Sequence, residues 1–584
     1  MKNVESLFTI TASDGVCCRI ADTCSEKGVT VYGFNIEWTD EAAEKNGNVR
    51  LEWQVPMLGF MYRWSPLCGT QRSILPDWCG RRASMLASNA PMECIYSGDG
   101  TNKYTFAVSE CAKCINFGTG VIEENGCVRF RVSLGVRQFT GQNSTKLSIR
   151  TDTRCIPMYE AVWAVSDWWA NDCGMTPAEV PQAAREPAYS FWYSYHQNLT
   201  DREIEAECKR AKALGFNVCI VDDGWQTDDL NRGYAFCGEW RPAVSKMGDM
   251  AAHVSRVHEI GMKYVLWYSV PYMGYKSENF EHFKGKLLRK DDGQKTGILD
   301  PRYKEVREFL KNIYIKALNE WKLDGFKLDF IDLWHESDSN APYNAEMDIP
   351  ALQDAVDVFM TDVITSLKKI KPDILLEFRQ CYIGPNMRKY GNMFRVGDCP
   401  NDYTKNRVGV LDLRMHMGSS AVHSDMLMWN AGEKPELAAL QIIGVLFGVL
   451  QYSAKLSTLT PDMEKMSRFW LDFMKEHRVL LLETPVMPYE PELLYTWAKS
   501  TRDNECMVAV YSIDKCVKPD DADTVYIANG CAGERVIIER DGKYLYKVQN
   551  CFGETVTEGT KEFCGVNVID VPVGGLLTLK KYNR

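Results

Sequence analysis

Three short stretches carry the residues whose types and spacing suit chemistry. "KALGFNVCIVDDGWQ" (212–226) runs Val218, Cys219, Ile220 and Val221 into two adjacent carboxylates, Asp222 and Asp223, followed by Trp225. Side-by-side carboxylates repel and gain nothing by burial, so this run needs a reason to end as it does. "GFKLDFIDLW" sets Lys327 and Asp329 two apart, hence on one face of a strand, with Asp332 just beyond. "FRVGDCPND" offers Arg395, Asp398 and Asp402. Other apolar runs end near Trp192, Tyr193 and Tyr195, near Trp267 and Tyr268, near Arg379 and Cys381, and near His423 and Asp425.

The set is rich in acids and aromatics and short of histidine. It shows no Ser/His/Asp order or nucleophile elbow, and no phosphate-cradling glycine loop. A two-metal site would want histidines among the carboxylates. Carboxylate chemistry on a ligand with many hydroxyls and apolar faces remains, which describes a sugar. Glycoside cleavage needs two carboxyl groups flanking one C–O bond. Asp329 beside a cation suits the ionised, attacking role; Asp398, after a glycine on another strand, suits the proton donor. A separation of about 5.5 Å would mean retention and a wider gap inversion. Alternatives stay open here: Asp332 or Asp402 in place of Asp398, a strand-end Asp as a helix N-cap, and the tryptophans as plain core.

The elements that must position these residues alternate from about 186 onward. Short apolar runs ("AYSFWYS", "NVCIVD", "KYVLWYSV", "DGFKLDF", "ILLEFR", "NMFRVG", "SAVHSD", "LQYSA") alternate with amphipathic helices. One helix has Thr200 as N-cap, Glu203 as its capping-box partner and Gly215 at its end. Eight such units predict parallel strands buried on both faces and closed into a (β/α)8 TIM barrel. Before the barrel, "VTVYGFNIEW", "VRLEWQVPML" and "VRFRVSL" have the period-2 pattern of antiparallel strands. Similar runs return near 485. The reading is a multi-domain α/β and β protein: an N-terminal β-sandwich with a connecting helix (1–180), the barrel (181–482) and a C-terminal antiparallel β-sandwich (483–584). The net charge of −10 argues against nucleic-acid or anionic-membrane partners. The N-terminus shows no signal-peptide apolar region, and "AALQIIGVLFGVL" (438–450) is too short to span a membrane and reads as a buried helix. The 21 cysteines follow no disulfide framework and read as reduced thiols of a cytoplasmic protein. The lone CxxC, Cys111 to Cys114, has no second pair at zinc spacing.

"FWYSYHQNLTDREIEAECKRAKALGFNVCIVDDGWQ", "ILDPRYKEVREFL", "GFKLDF", "CYIGP" and "RVGDCPND", in this order, resemble the α-galactosidases of glycoside hydrolase family 36, and "AVHSDMLMW" fits one branch of it. The resemblance implies a retaining double displacement that removes terminal α-galactose without metal or organic cofactor. Asp329 would be the nucleophile and Asp398 the acid/base. Asp222 and Asp223 would hold sugar hydroxyls, and Lys327 would contact neighbouring ones. Trp192, Trp225 and Trp267 would wall the subsite, with Cys381 and Gly384 facing the 2-position and Trp64 of "MYRWSP" as a lid. Arg395 and Asp402, at the end of the sixth apolar run, complete the candidate substrate-binding set. The adjacent carboxylates are then tolerable because the strand opens on a wet pocket whose ligand supplies donors. The chain departs from the family pattern at Ile331, where Asn is usual, in "CYIGPNM", and in "GDC" for "SDN". An α-N-acetylgalactosaminidase and a silent carbohydrate-binding barrel are the alternatives. Family members range from monomers to tetramers, so a homo-oligomer is left open.

Overall fold

A computed structural model describes residues 7–582. In the N-terminal sandwich, a five-stranded and a six-stranded sheet close on one core. Cys127–Gly135 shows how: Val128, Phe130, Val132 and Leu134 are buried while their neighbours are only partly so, the alternation a half-buried strand requires. Trp53 stacks on Phe130 at 5.3 Å in the same core. Helix α1 (Met158–Asn171) leads to the barrel.

The barrel strands are β1 (Ala188–Ser190), β2 (Val218–Val221), β3 (Lys263–Ser269), β4 (Gly325–Asp329), β5 (Leu375–Arg379), β6 (Met393–Arg395), β7 (Ala421–His423) and β8 (Gln451–Tyr452). They form one eight-stranded sheet with every pairing parallel. A parallel bridge between His423 and Val449 closes it from β7 to the start of β8. Helices α2 (Asp201–Leu214), α3 (Met250–Ile260), α4 (Lys304–Trp321), α5 (Leu352–Ile370), α6 (Tyr403–His416), α7 (Pro435–Gly444) and α8 (Pro461–Glu476) surround it. α2 starts where the capping box predicts, the Thr200 hydroxyl accepting from the Glu203 N–H, and ends on left-handed Gly215.

The barrel interior is layered. Ala188, Val218, Val265, Leu375, Met393, Ala421 and Val449 form an apolar plug at its base. Two residues further along the same strand faces come Lys327, Glu377, Arg395, His423 and Gln451, all buried. Strand alternation then brings Asp222, Trp267, Asp329 and Arg379 to the C-terminal mouth.

The structure corrects four readings. "AYSFWYS" is a strand only to Ser190 and then turns into one helical turn, Trp192–Tyr195. "AALQIIGVLFGVL" is helical only to Gly444; its tail feeds the β8 edge. The C-terminal sandwich is mixed: Glu505–Val510 pairs parallel with Thr524–Asn529, and Cys516–Val517 with Arg535–Glu539. A three-stranded antiparallel sheet (Tyr272–Gly274, Leu287–Asp291, Thr296–Leu299) rises from the loop after β3, a segment too irregular in period to be recognised.

Candidate active site

Asp329 is the last residue of β4. Its Oδ1 accepts from Arg379 Nε at 2.7 Å, the Tyr382 hydroxyl at 2.7 Å and the Phe330 N–H at 2.9 Å, and its Oδ2 from Trp267 Nε1 at 3.1 Å. Phe330 adopts a left-handed conformation, φ 64°, which takes the chain out of the strand. Burial alone would raise the Asp329 carboxyl, but Arg379 and Lys327 outweigh it and hold the group well below the usual carboxylate range. This is an ionised carboxylate held in place by donors.

Asp398, after β6, is half exposed at 52% and accepts from Arg395 Nη2 at 2.8 Å. Here too burial raises the carboxyl, while Arg395 and then Lys327 hold it below its ordinary value. Arg379 pairs with Asp329 alone, but its charge also acts on Asp398.

The paired aspartates are managed by the protein itself. Lys327 Nζ donates to Asp222 Oδ2 at 2.6 Å, and Asp222 Oδ1 accepts the Asp223 N–H at 3.0 Å. Both Asp223 oxygens are engaged by side-chain amides, Gln197 at 2.6 Å and Gln226 at 2.6 Å. Burial is the main cause pushing Asp223 up to about 6, with neighbouring Asp222 adding to it. Gln226 follows the two aspartates in sequence, whereas Gln197 comes from the loop before α2, within the stretch that carries the resemblance.

Trp267 meets Asp329 directly, inside a cluster with Tyr234 (6.3 Å between ring centres) and Phe330 (6.4 Å). Tyr272 packs on both Tyr234 and Phe330. Trp192 is partly exposed, edge-on to His196 at 4.7 Å. Cys381 lies beside Asp332, Sγ to Oδ2 3.8 Å, and Asp332 Oδ1 is buried without a partner.

Five predicted contacts stand elsewhere. Trp225 is wholly buried, stacked on Trp240 and donating to the Trp267 carbonyl; it supports Trp267 from behind instead of walling the pocket. Trp64 is wholly buried and donates to Asp412 Oδ1 on α6 at 2.8 Å, so it pins the N-terminal sandwich to the barrel and is no lid. Gly384 faces that sandwich too: an added Cβ would lie 2.9 Å from the Leu86 carbonyl. Asp402 is the N-cap of α6, accepting the Lys405 N–H. Arg395 is buried and reaches the mouth only through Asp398. Arg379 was named at the end of its apolar run but given no role beside Asp329, and Tyr382 was not singled out. Arg379 was detectable, two residues past inward-facing Glu377 on the same strand, but Tyr382 lies beyond the strand where no period holds. Trp64→Phe is expected to leave kcat/KM within about twofold while costing roughly 1–2 kcal/mol through the lost bond to Asp412. Paired kinetics and thermal melts read both.

The parallel eightfold barrel between two β-sandwiches is similar in fold to solved α-galactosidases of glycoside hydrolase family 36, the family the sequence resembles. Solved AgaA of that family, from Geobacillus stearothermophilus, superposes with a TM-score of 0.64 at 13% identity, over 95% of this chain and 79% of that one; AgaA variants are also solved with stachyose and with raffinose. Alpha-galactosidase Mel36A of Lactobacillus acidophilus is 26% identical over 254 residues, 41% of this chain and 32% of that protein. The bifunctional alpha-galactosidase/sucrose kinase AgaSK of Mediterraneibacter gnavus is 27% identical over 146 residues, 24% of this chain and 15% of that protein. The chain thus spans under two thirds of either curated relative. No protein-family model matches it. Among the described residues no helix is long and apolar enough to cross a membrane.

Proposed function

We propose that this chain is a retaining exo-glycosidase that removes terminal α-linked galactose from oligosaccharides. The observation that carries the reading is the state of Asp329, a buried carboxylate kept ionised by Arg379 and Lys327 and aimed by Tyr382 and Trp267. In the first step an Asp329 oxygen attacks the anomeric carbon, the glycosidic C–O bond breaks, and Asp398 protonates the departing oxygen. In the second, Asp398 takes a proton from water, which displaces Asp329. Asp398 suits this role better than Asp332, because it reaches the mouth from a different strand and is open to a leaving group. Asp222, Asp223 and Lys327 are the groups proposed to hold the sugar hydroxyls, using lone pairs and protons their mutual bonds leave free.

Hydrolysis of aryl α-glycosides (galactoside, N-acetylgalactosaminide, glucoside, xyloside), with the first-formed anomer followed by NMR, tests the reading. Galactoside cleavage giving α-galactose first supports it. Cleavage only of the N-acetylated sugar would move the substrate to the alternative; β-galactose first would overturn retention, and no cleavage would leave a binding barrel.

A pH dependence follows from Asp223. Below about pH 6 it takes up a proton and loses acceptor capacity, so galactose affinity should fall by roughly tenfold by pH 5. Calorimetric titration from pH 5 to 7 reads it; a flat profile would remove Asp223 from sugar recognition.

A further inference from the structure

The motif "AVHSDMLMW" carries Asp425, which the proposed reaction does not use. Asp425 is fully buried. It accepts the Tyr193 hydroxyl at 2.8 Å, the Cys399 N–H at 2.7 Å, and Arg395 Nη1. Arg395 uses its other terminal nitrogen on Asp398, and its Nε lies 3.8 Å from Glu377 Oε1. One buried guanidinium therefore serves three carboxyl groups. Two of them, Asp425 and Glu377, are locked in the interior; Asp398 is half exposed and has Arg395 as its one ion-pair partner among the described residues.

We propose that Asp425 is a positioning residue that draws the Arg395 charge away from Asp398 and so leaves Asp398 able to carry the proton the leaving group needs. The proposal rests on the reading of Asp398 as the acid/base. The charged and titratable groups facing Asp398 are Arg395 from β6, Lys327 from β4, Arg379 from β5, Asp425 after β7 and Tyr193 after β1. Three are cations. Without Asp425 their pull on Asp398, already enough to hold it below its ordinary value, is stronger, and the proton it must donate is harder to gain. Asp425 opposes them in two ways, by sharing Arg395 and by its own negative charge. Its bond to the Cys399 N–H also fixes the loop next to Asp398.

The test is the pH profile of kcat/KM on methyl α-galactoside, whose leaving group needs protonation, beside a 2,4-dinitrophenyl α-galactoside, whose leaving group does not. Asp425→Asn should move the basic limb on the methyl glycoside down by about one unit, since a neighbouring like charge raises a carboxyl by that order, and leave the dinitrophenyl glycoside nearly unchanged. Asp425→Glu should restore the limb. Tyr193→Phe should move it the other way, because Asp425 without its hydroxyl donor leans harder on Arg395. An unmoved limb, or an equal loss on both substrates at every pH, would overturn the proposal. If Asp425→Asn does not fold, the direction seen in Tyr193→Phe decides alone. Wild-type enzyme inactive on both substrates would instead refute the proposed function.

Discussion

Asp329→Asn is expected to lower kcat on α-galactosides by about 10⁴-fold or more, the scale on which loss of a covalent nucleophile is felt. An amide cannot form the glycosyl-enzyme, and it presents an NH2 group to a cage built entirely of donors: Arg379, Tyr382, Trp267 and the Phe330 N–H. The same mismatch costs stability, about 1–3 kcal/mol for polar groups left unpaired. The sign of its pH dependence is set by a carboxyl held below its ordinary value when folded. That stabilisation is present above the unfolded value near 4 and is lost only as pH falls through the folded one. The melting difference between variant and wild type should therefore hold from neutrality to about pH 4 and close in stronger acid. Asp329→Gly supplied with azide should yield the β-galactosyl azide, as attack on the vacated face requires. Turnover near wild type in Asp329→Asn would remove the residue from its role.

Asp398→Ala is expected to cost about 10²–10⁴-fold on sugar or alkyl leaving groups, the usual worth of general acid catalysis, and much less in the first step on activated aryl galactosides. The basic limb of the profile should vanish with it. An equal loss on both kinds of substrate would count against the donor role and turn attention to Asp332, whose carboxyl is raised by burial and by Asp329 nearby. The resting ion pair with Arg395 makes this prediction informative. A proton donor held as a carboxylate in the free enzyme must gain its proton against Arg395, which is why Asp425 matters.

The alternation of apolar runs with amphipathic helices was enough to read the barrel, because a strand buried on both faces and a capped helix are local patterns. Thr200, Glu203 and Gly215 mark one helix without any distant contact. The same-face spacing of Lys327 and Asp329 carried through to the mouth, since side-chain parity along a strand survives folding. The three-residue β1 and the mixed C-terminal sheet were not legible: strand length there is set by which neighbour pairs, and neighbours come from far along the chain.

Which residues are aromatic or acidic, and which of them lie at strand ends, the sequence alone determined. What each does there was decided by tertiary contacts. Trp64 and Trp225 have the composition of pocket walls, yet one is claimed by Asp412 and the other by Trp240 and the Trp267 carbonyl. Asp402 could have been a ligand but caps α6. Arg379, Tyr382 and Trp267 meet Asp329 from two strands and a loop, and no spacing in the chain encodes that convergence. The physical reason is range: periodicity, capping and turn chemistry act within a few residues, whereas the charge on a buried carboxylate is set by whichever donors the closed barrel brings within hydrogen-bonding distance.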